Sequence, residues 1–254
     1  MHTLVLKLTV TPVLILTASL ASRRWGESIG GWFVGLPLTS GPVCFFLALD
    51  EGAEFAAAAG LGCLAGAAAE AGFGLAYTVV AKRSAWPAAL AVASLAFAVA
   101  AALLQLAALS LWPLVIVVCA ALAGALRLMT LPATGSATLP TQAPWDIPAR
   151  MIVATALVLG LTEIAPYAGP RLSGLLATYP VFAAVLTVFS HHARNAVAAI
   201  RVLRGLLTGL FAFTSFFAAL ALSLPRFGIA AGFALATLVA LAIQAASLRV
   251  LRRA

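Results

Sequence analysis

Long apolar runs separated by short polar punctuation set the pattern of this chain. Residues 4–22, 29–49, 55–81, 86–129, 149–166, 172–190, 205–224 and 227–248 are nearly free of charge. A bilayer core about 30 Å thick needs about 20 helical residues at a rise of about 1.5 Å each. Most runs have that length. The run 86–129 is about twice as long, so it divides near Gln105 into two helices. Nine helices are therefore expected. The one long polar stretch, residues 130–148, carries four prolines and reads as the seam between two halves. The expected organisation is a unit at 1–106, a linking helix and loop at 107–148, and a second unit at 149–254. Runs of this length exclude a β-barrel, whose strands alternate over about ten residues.

Residues 4–22 can also be read as a signal peptide, with Ser19-Leu20-Ala21 as the cleavage site. A full-length apolar run after the single basic residue Lys7 favours a retained first helix.

Two runs are interrupted by helix breakers. Gly35-Leu36-Pro37-Leu38-Thr39-Ser40-Gly41-Pro42-Val43 lies inside the second expected helix, and Gly174-Leu175-Leu176-Ala177-Thr178-Tyr179-Pro180-Val181 inside the seventh. They align with one gap, pairing Gly35 with Gly174, Thr39 with Thr178, Pro42 with Pro180 and Val43 with Val181. In the helices that follow, Gly62-x-x-x-Gly66 pairs with Gly205-x-x-x-Gly209. No comparable match joins the first and sixth helices.

Composition fixes the class. The chain is 64% hydrophobic and 9% charged, with mean hydropathy +1.12, too little polar surface for a soluble domain. An all-α polytopic membrane protein follows. The net charge of +8 does not point to nucleic acid, because the basic residues are scattered between apolar runs. They sort by side instead. With the N-terminus outside, Arg23, Arg24, Lys82, Arg83, Arg127, Arg150, Arg194, Arg201, Arg204, Arg249, Arg252 and Arg253 are cytoplasmic, and Lys7, Arg171 and Arg226 are external. This is a strong positive-inside bias. Asp50, Glu51 and Glu54 collect on the outer side. The expected location is the cell inner membrane, N-terminus out and C-terminus cytoplasmic.

In this topology the second helix runs outward and the seventh inward, so the two units are antiparallel repeats in a 4+1+4 plan. Inverted repeats around broken helices mark secondary transporters, whose sites lie near the midplane. Irregular backbone is tolerated at that depth only when buried in protein or lining a cavity. A simple kink is the alternative at either position alone.

Gly174-Leu175-Leu176 through Pro180-Val181-Phe182, followed by His191-His192 and a basic helix start, resembles the GlpM family of small four-helix membrane proteins. The resemblance covers about sixty residues of the second half and is looser in the first. It implies two such units fused through one extra helix, and no substrate.

Glu70 stands apart from the interfacial charges. Neither 55–69 nor 71–81 spans alone, so Glu70 enters the bilayer. A charge there costs roughly 2.5–3.5 kcal/mol on insertion scales. Gly62, Gly66, Glu70 and Gly74 recur every four residues on one helix face, so Glu70 points into the protein. Its repeat mate is Phe213. A carboxyl in low dielectric can exchange protons near neutral pH, which makes Glu70 a candidate coupling group. A structural hydrogen bond to a neighbouring helix is the other reading.

The candidate substrate-binding residues are Gly35, Pro37, Thr39, Ser40 and Pro42 at the first break, Thr178, Tyr179 and Pro180 at the second, and Arg201 and Arg204 if an anion is bound. The arginines can equally be interfacial anchors, and Glu163 and Lys7 read the same way. Adjacent His191 and His192 point apart and read as solvated loop residues. Cys44, Cys63 and Cys119 lie in apolar runs without metal-ligand spacing, so no metal or other cofactor is expected. No phosphate-binding Gly-Lys-Ser/Thr loop, His-Glu-x-x-His, Gly-x-Ser-x-Gly or intramembrane aspartate pair is present, so no enzyme is expected. The expected function is a proton-coupled carrier of a small or amphipathic anion or lipid-like substrate, with no oligomer required. The alternative is a non-transporting membrane scaffold or assembly factor.

Overall fold

The computed structural model describes residues 2–131 and 145–251, with 2–8, 161, 162, 164–177, 250 and 251 described by their backbone. The expected seam lies mostly outside these residues, as do Arg252 and Arg253. The described chain is all-helical, in the order α1 His2–Trp25, α2 Glu27–Val34, α3 Ser40–Asp50, α4 Ala53–Ala81, α5 Trp86–Ala107, α6 Leu111–Leu128, α7 Asp146–Ala177, α8 Val181–Ala193 and α9 Ala196–Leu251. Among the described residues, four helices are long and apolar enough to cross a membrane: Ala53–Ala81, Trp86–Ala107, Leu111–Leu128 and Ala196–Arg249.

The helix boundaries depart from the apolar runs at three places. The second run is two helices, α2 and α3, because the Gly35–Pro37 stretch breaks it. The backbone of α7 stays helical through Pro166 and Pro170, where the sequence suggests a turn. The eighth and ninth expected helices join as α9, bent at Pro225 and Gly228. Gly228 has φ 75, a left-handed value that a residue with a Cβ resists. The same freedom lets Gly52, at φ 94, turn the chain from α3 into α4.

α4 is the central helix. Its most apolar window is 56% buried, against 22% for each of the other three spans. Phe73, Tyr77 and Leu64 on α4 pack with Leu203, Leu206, Leu207 and Phe217 on α9 in one core. Gly60 faces Phe217 and Gly74 faces Leu207, so α4 and the first part of α9 are antiparallel. On its other side α9 meets α2, in parallel. Ser28 abuts Gly205, Trp32 abuts Gly209, and Gly35 abuts Gly209. Gly31 and Gly35 on α2 thus interlock with Gly205 and Gly209 on α9, and small residues are what let two helix backbones come this close. The sequence contains both glycine pairs; the first is hidden because Gly35 also begins the break.

After its bend, α9 returns to the same helix. Trp32 Nε1 donates to Ser247 Oγ at 2.9 Å, and Gln244 Nε2 donates to the Trp32 carbonyl at 3.2 Å.

Candidate site at the paired helix breaks

The first break spans Gly35 to Thr39. Pro37 has no N–H to donate, and the free carbonyls find donors further along. Gly41 N donates to Pro37 O at 2.9 Å and Val43 N to Thr39 O at 3.2 Å, which starts α3. The second break spans Thr178 to Pro180, and Ala184 N donates to Pro180 O at 2.8 Å. Each proline therefore ends one helix and opens the next.

The breaks dock on different partners. Gly35 is sealed against Gly209. Thr178 packs on Gly66 of α4. Tyr179 shares a 2.8 Å hydrogen bond with Ser94 of α5, and its ring meets Phe73 and Phe97 edge-on at 6.2 and 5.5 Å. A cleft beside the first break is lined by Leu14, Phe33, Val34, Leu36, Leu38, Thr39 and, from the first turn of α8, Phe182. Its free space is about 20 Å³, enough for one water molecule.

Of the candidate residues, Thr39 lines this cleft, and Pro37 and Ser40 are half-buried beside it. Pro42 and Val43 are exposed and face outward. Thr178, Tyr179 and Pro180 turn to α4, α5 and the core. Arg201 and Arg204 precede Gly209 by eight and five residues, about 12 and 8 Å below the first break along the axis. Arg204 donates to the carbonyls of Leu126 and Met129 at 2.8 and 2.6 Å. It therefore caps the C-terminal end of α6, where free carbonyls and the helix dipole favour a cation. Arg204→Met is expected to lower stability by about 1.5–3 kcal/mol, the range for a hydrogen bond to a charged group. A thermal melt in detergent, compared with Arg201→Met, checks this; among the described residues Arg201 makes no hydrogen bond or ion pair.

Glu70 is half-buried on α4 between Gly66, which touches Thr178, and Gly74, which touches Leu207. No hydrogen bond or ion pair joins Glu70 to another side chain among the described residues. His191 sits on the last turn of α8, and its Nδ1 shares a 3.0 Å hydrogen bond with buried Tyr77. His192 is exposed.

A second polar cluster lies at the charged end of the bundle. Glu27, 5% exposed, accepts from Ser22 Oγ at 2.5 Å and Ser190 Oγ at 3.0 Å, and pairs with Arg194 at 3.2 Å. Asp146 pairs with Arg150 at 3.0 Å and Arg23 at 3.3 Å. The Arg150 guanidinium lies 5.4 Å from the centre of the Phe189 ring. Only Asp146-x-x-x-Arg150 is visible as a helical i, i+4 pair in the sequence. Ser22 and Glu27 are five residues apart across the α1–α2 turn, and the remaining hydrogen-bond and ion-pair partners are more than 120 residues apart.

Comparison with family profiles, curated proteins and solved structures finds no match to this chain.

Proposed function

We propose that this chain is a secondary transporter of the inner membrane, built as two antiparallel four-helix units around the paired breaks, like a fused pair of GlpM-type units. A reciprocity of contact supports this reading. α4 carries Gly66 against Thr178 and Phe73 against Tyr179 of the second break. α9 carries Gly209 against Gly35 and Phe216 against Gly41 of the first. The contacting residues on the two helices correspond at a constant offset of 143, although Gly209 meets Gly35, four residues before Thr39, the mate of Thr178. Pairing Pro42 with Pro180 likewise sets Gly41 opposite Tyr179. Each unit thus clasps the other unit's break, the exchange that a two-fold axis in the membrane plane generates. Glu70, without a polar partner beside the second break, is the coupling group in this reading. The substrate is a small or amphipathic anion.

The narrowness of the cleft favours a second reading, a membrane scaffold whose glycine faces serve packing alone. Single cysteines at Thr39 and Thr178, in a chain with Cys44, Cys63 and Cys119 replaced by alanine, separate the two. A carrier labels with water-soluble maleimide at both positions, from opposite faces of the membrane and in competition with one another. A scaffold stays inert at both.

A further inference from the structure

We propose that Arg23, Glu27, Asp146, Arg150 and Arg194 form a closed gate between the charged end of the bundle and the paired breaks. This inference rests on the carrier reading and assigns its regulation to particular groups.

Three observations carry it. First, three of the bonds cross between the units, Arg23–Asp146, Ser190–Glu27 and Arg194–Glu27. Arg23, Ser22 and Glu27 belong to the first, and Asp146, Ser190 and Arg194 to the second or its approach. Ser22 reaches Glu27 across the turn from α1 to α2, and Ser190 reaches it from 163 residues away. Opening this end requires these bonds to part.

Second, the network lies in line with the cleft. Glu27 begins α2, and Phe33 and Val34 at the far end of α2 line the cleft. Phe182 on the first turn of α8 lines it too, while Ser190 lies on the last turn. Seven or eight helical residues separate the two levels, about 10–12 Å. Between them Ala18, Leu186 and Val202 form a small apolar plug with Phe33 and Val34. A path from the charged end to Thr39 meets the ion pairs and then the plug.

Third, the network is under-satisfied. Ser19 Oγ, Thr187 Oγ1 and the Nε atoms of Arg150 and Arg194 are buried without a hydrogen-bond partner among the described residues. Arg150 Nε is 3.0 Å from Asp146 but lacks hydrogen-bond alignment. Ser19 is one turn from Ser22, and Thr187 one turn from Ser190. Buried donors without acceptors regain hydration when water enters, which lowers the cost of opening. A buried ion pair as a whole adds little net stability, because its attraction largely repays the desolvation of the two charges. A lock that holds one arrangement and releases it is the role left to them.

The test uses the full chain in membrane vesicles of both orientations, with Thr39→Cys as the only cysteine. Maleimide labelling from the charged end is compared for the parent, Glu27→Gln, and the exchanged pair Glu27→Arg with Arg194→Glu. The gate predicts labelling about tenfold faster in Glu27→Gln, from that face only, with a return toward the parent rate in the exchanged pair. An unchanged rate, or an equal rise from both faces, overturns it. Should Glu27→Gln fail to give folded protein, Ser190→Ala removes a single hydrogen bond and is held to the same two outcomes. Labelling of the parent tests the carrier reading separately. A parent labelled from both faces with no response to Glu27→Gln keeps the carrier and removes the gate. An inert parent that becomes reactive in Glu27→Gln keeps the closure and removes the carrier.

Discussion

Gly205→Val is expected to destabilise the fold by about 3 kcal/mol or more. A Cβ at this position would overlap the Ser28 carbonyl of α2, and the nearest atoms are backbone that no side-chain rotation can clear. Gly31 meets the Val202 carbonyl in the same way. The helices must separate, and separation also pulls Trp32 from Ser247 and Gln244. Overpacking a core typically costs about 1–3 kcal/mol, and a clash of backbone against backbone lies at or above the top of that range. A loss of about 3 kcal/mol or more is a large share of a stability of about 5–15 kcal/mol. Gly62→Ala is the control. Gly62 is exposed with no atom within 4 Å of its would-be Cβ, although the sequence puts it in an equivalent motif. It is expected to be neutral or stabilising by up to about 1 kcal/mol through helix propensity. Size-exclusion profiles and thermal melts of Gly205→Val, Gly31→Val and Gly62→Ala measure the contrast. A monodisperse Gly205→Val protein melting like the parent contradicts the packing described.

On the carrier reading, Glu70→Gln is expected to leave the fold intact and to eliminate proton-coupled flux. The side chain makes no hydrogen bond or ion pair among the described residues, so an amide of nearly the same shape breaks nothing. Burying a carboxylate in a membrane helix is nonetheless costly, and a residue that contributes no bond is an odd one to keep there for structure. It lies one turn from the Gly66–Thr178 contact, where the second break meets α4. Glutamine keeps the shape and polarity but cannot carry a proton. Flux driven by an imposed pH gradient in proteoliposomes, with melting temperature measured alongside, is the readout. Equal flux in Glu70→Gln and parent across a pH series removes Glu70 from the mechanism.

The positions of the breaks were legible because their cause is local. Pro37 and Pro180 each remove a donor from a hydrogen-bonded run, and the helix breaks there although it continues through Pro12, Pro166 and Pro170. The membrane class was legible because charge is so scarce. What the sequence concealed depends on who meets whom. Nothing in the sequence ties Glu27 to Arg194, which closes on it from 167 residues later in the chain. Arg204 reads as an anion ligand or an anchor until α6 ends beneath it. The Gly62-x-x-x-Gly66 and Gly205-x-x-x-Gly209 motifs look equivalent in one dimension. One has an open glycine and the other none, because only the second faces a helix that carries its own pair. The bend in α9 was marked by Pro225 and Arg226, but not its consequence that both arms meet α2.

That last arrangement has a temporal side. Gly205 emerges from the ribosome 174 residues after Gly31, and the returning arm with Gln244 and Ser247 later still. At about 5–20 residues per second, α2 waits roughly 10–35 s for the neighbour that covers its glycines. Throughout synthesis the nascent chain holds a short, interrupted helix with bare backbone toward lipid or the insertion machinery. Maturation is therefore C-terminal-dependent: the first half becomes native only when the last helix has arrived.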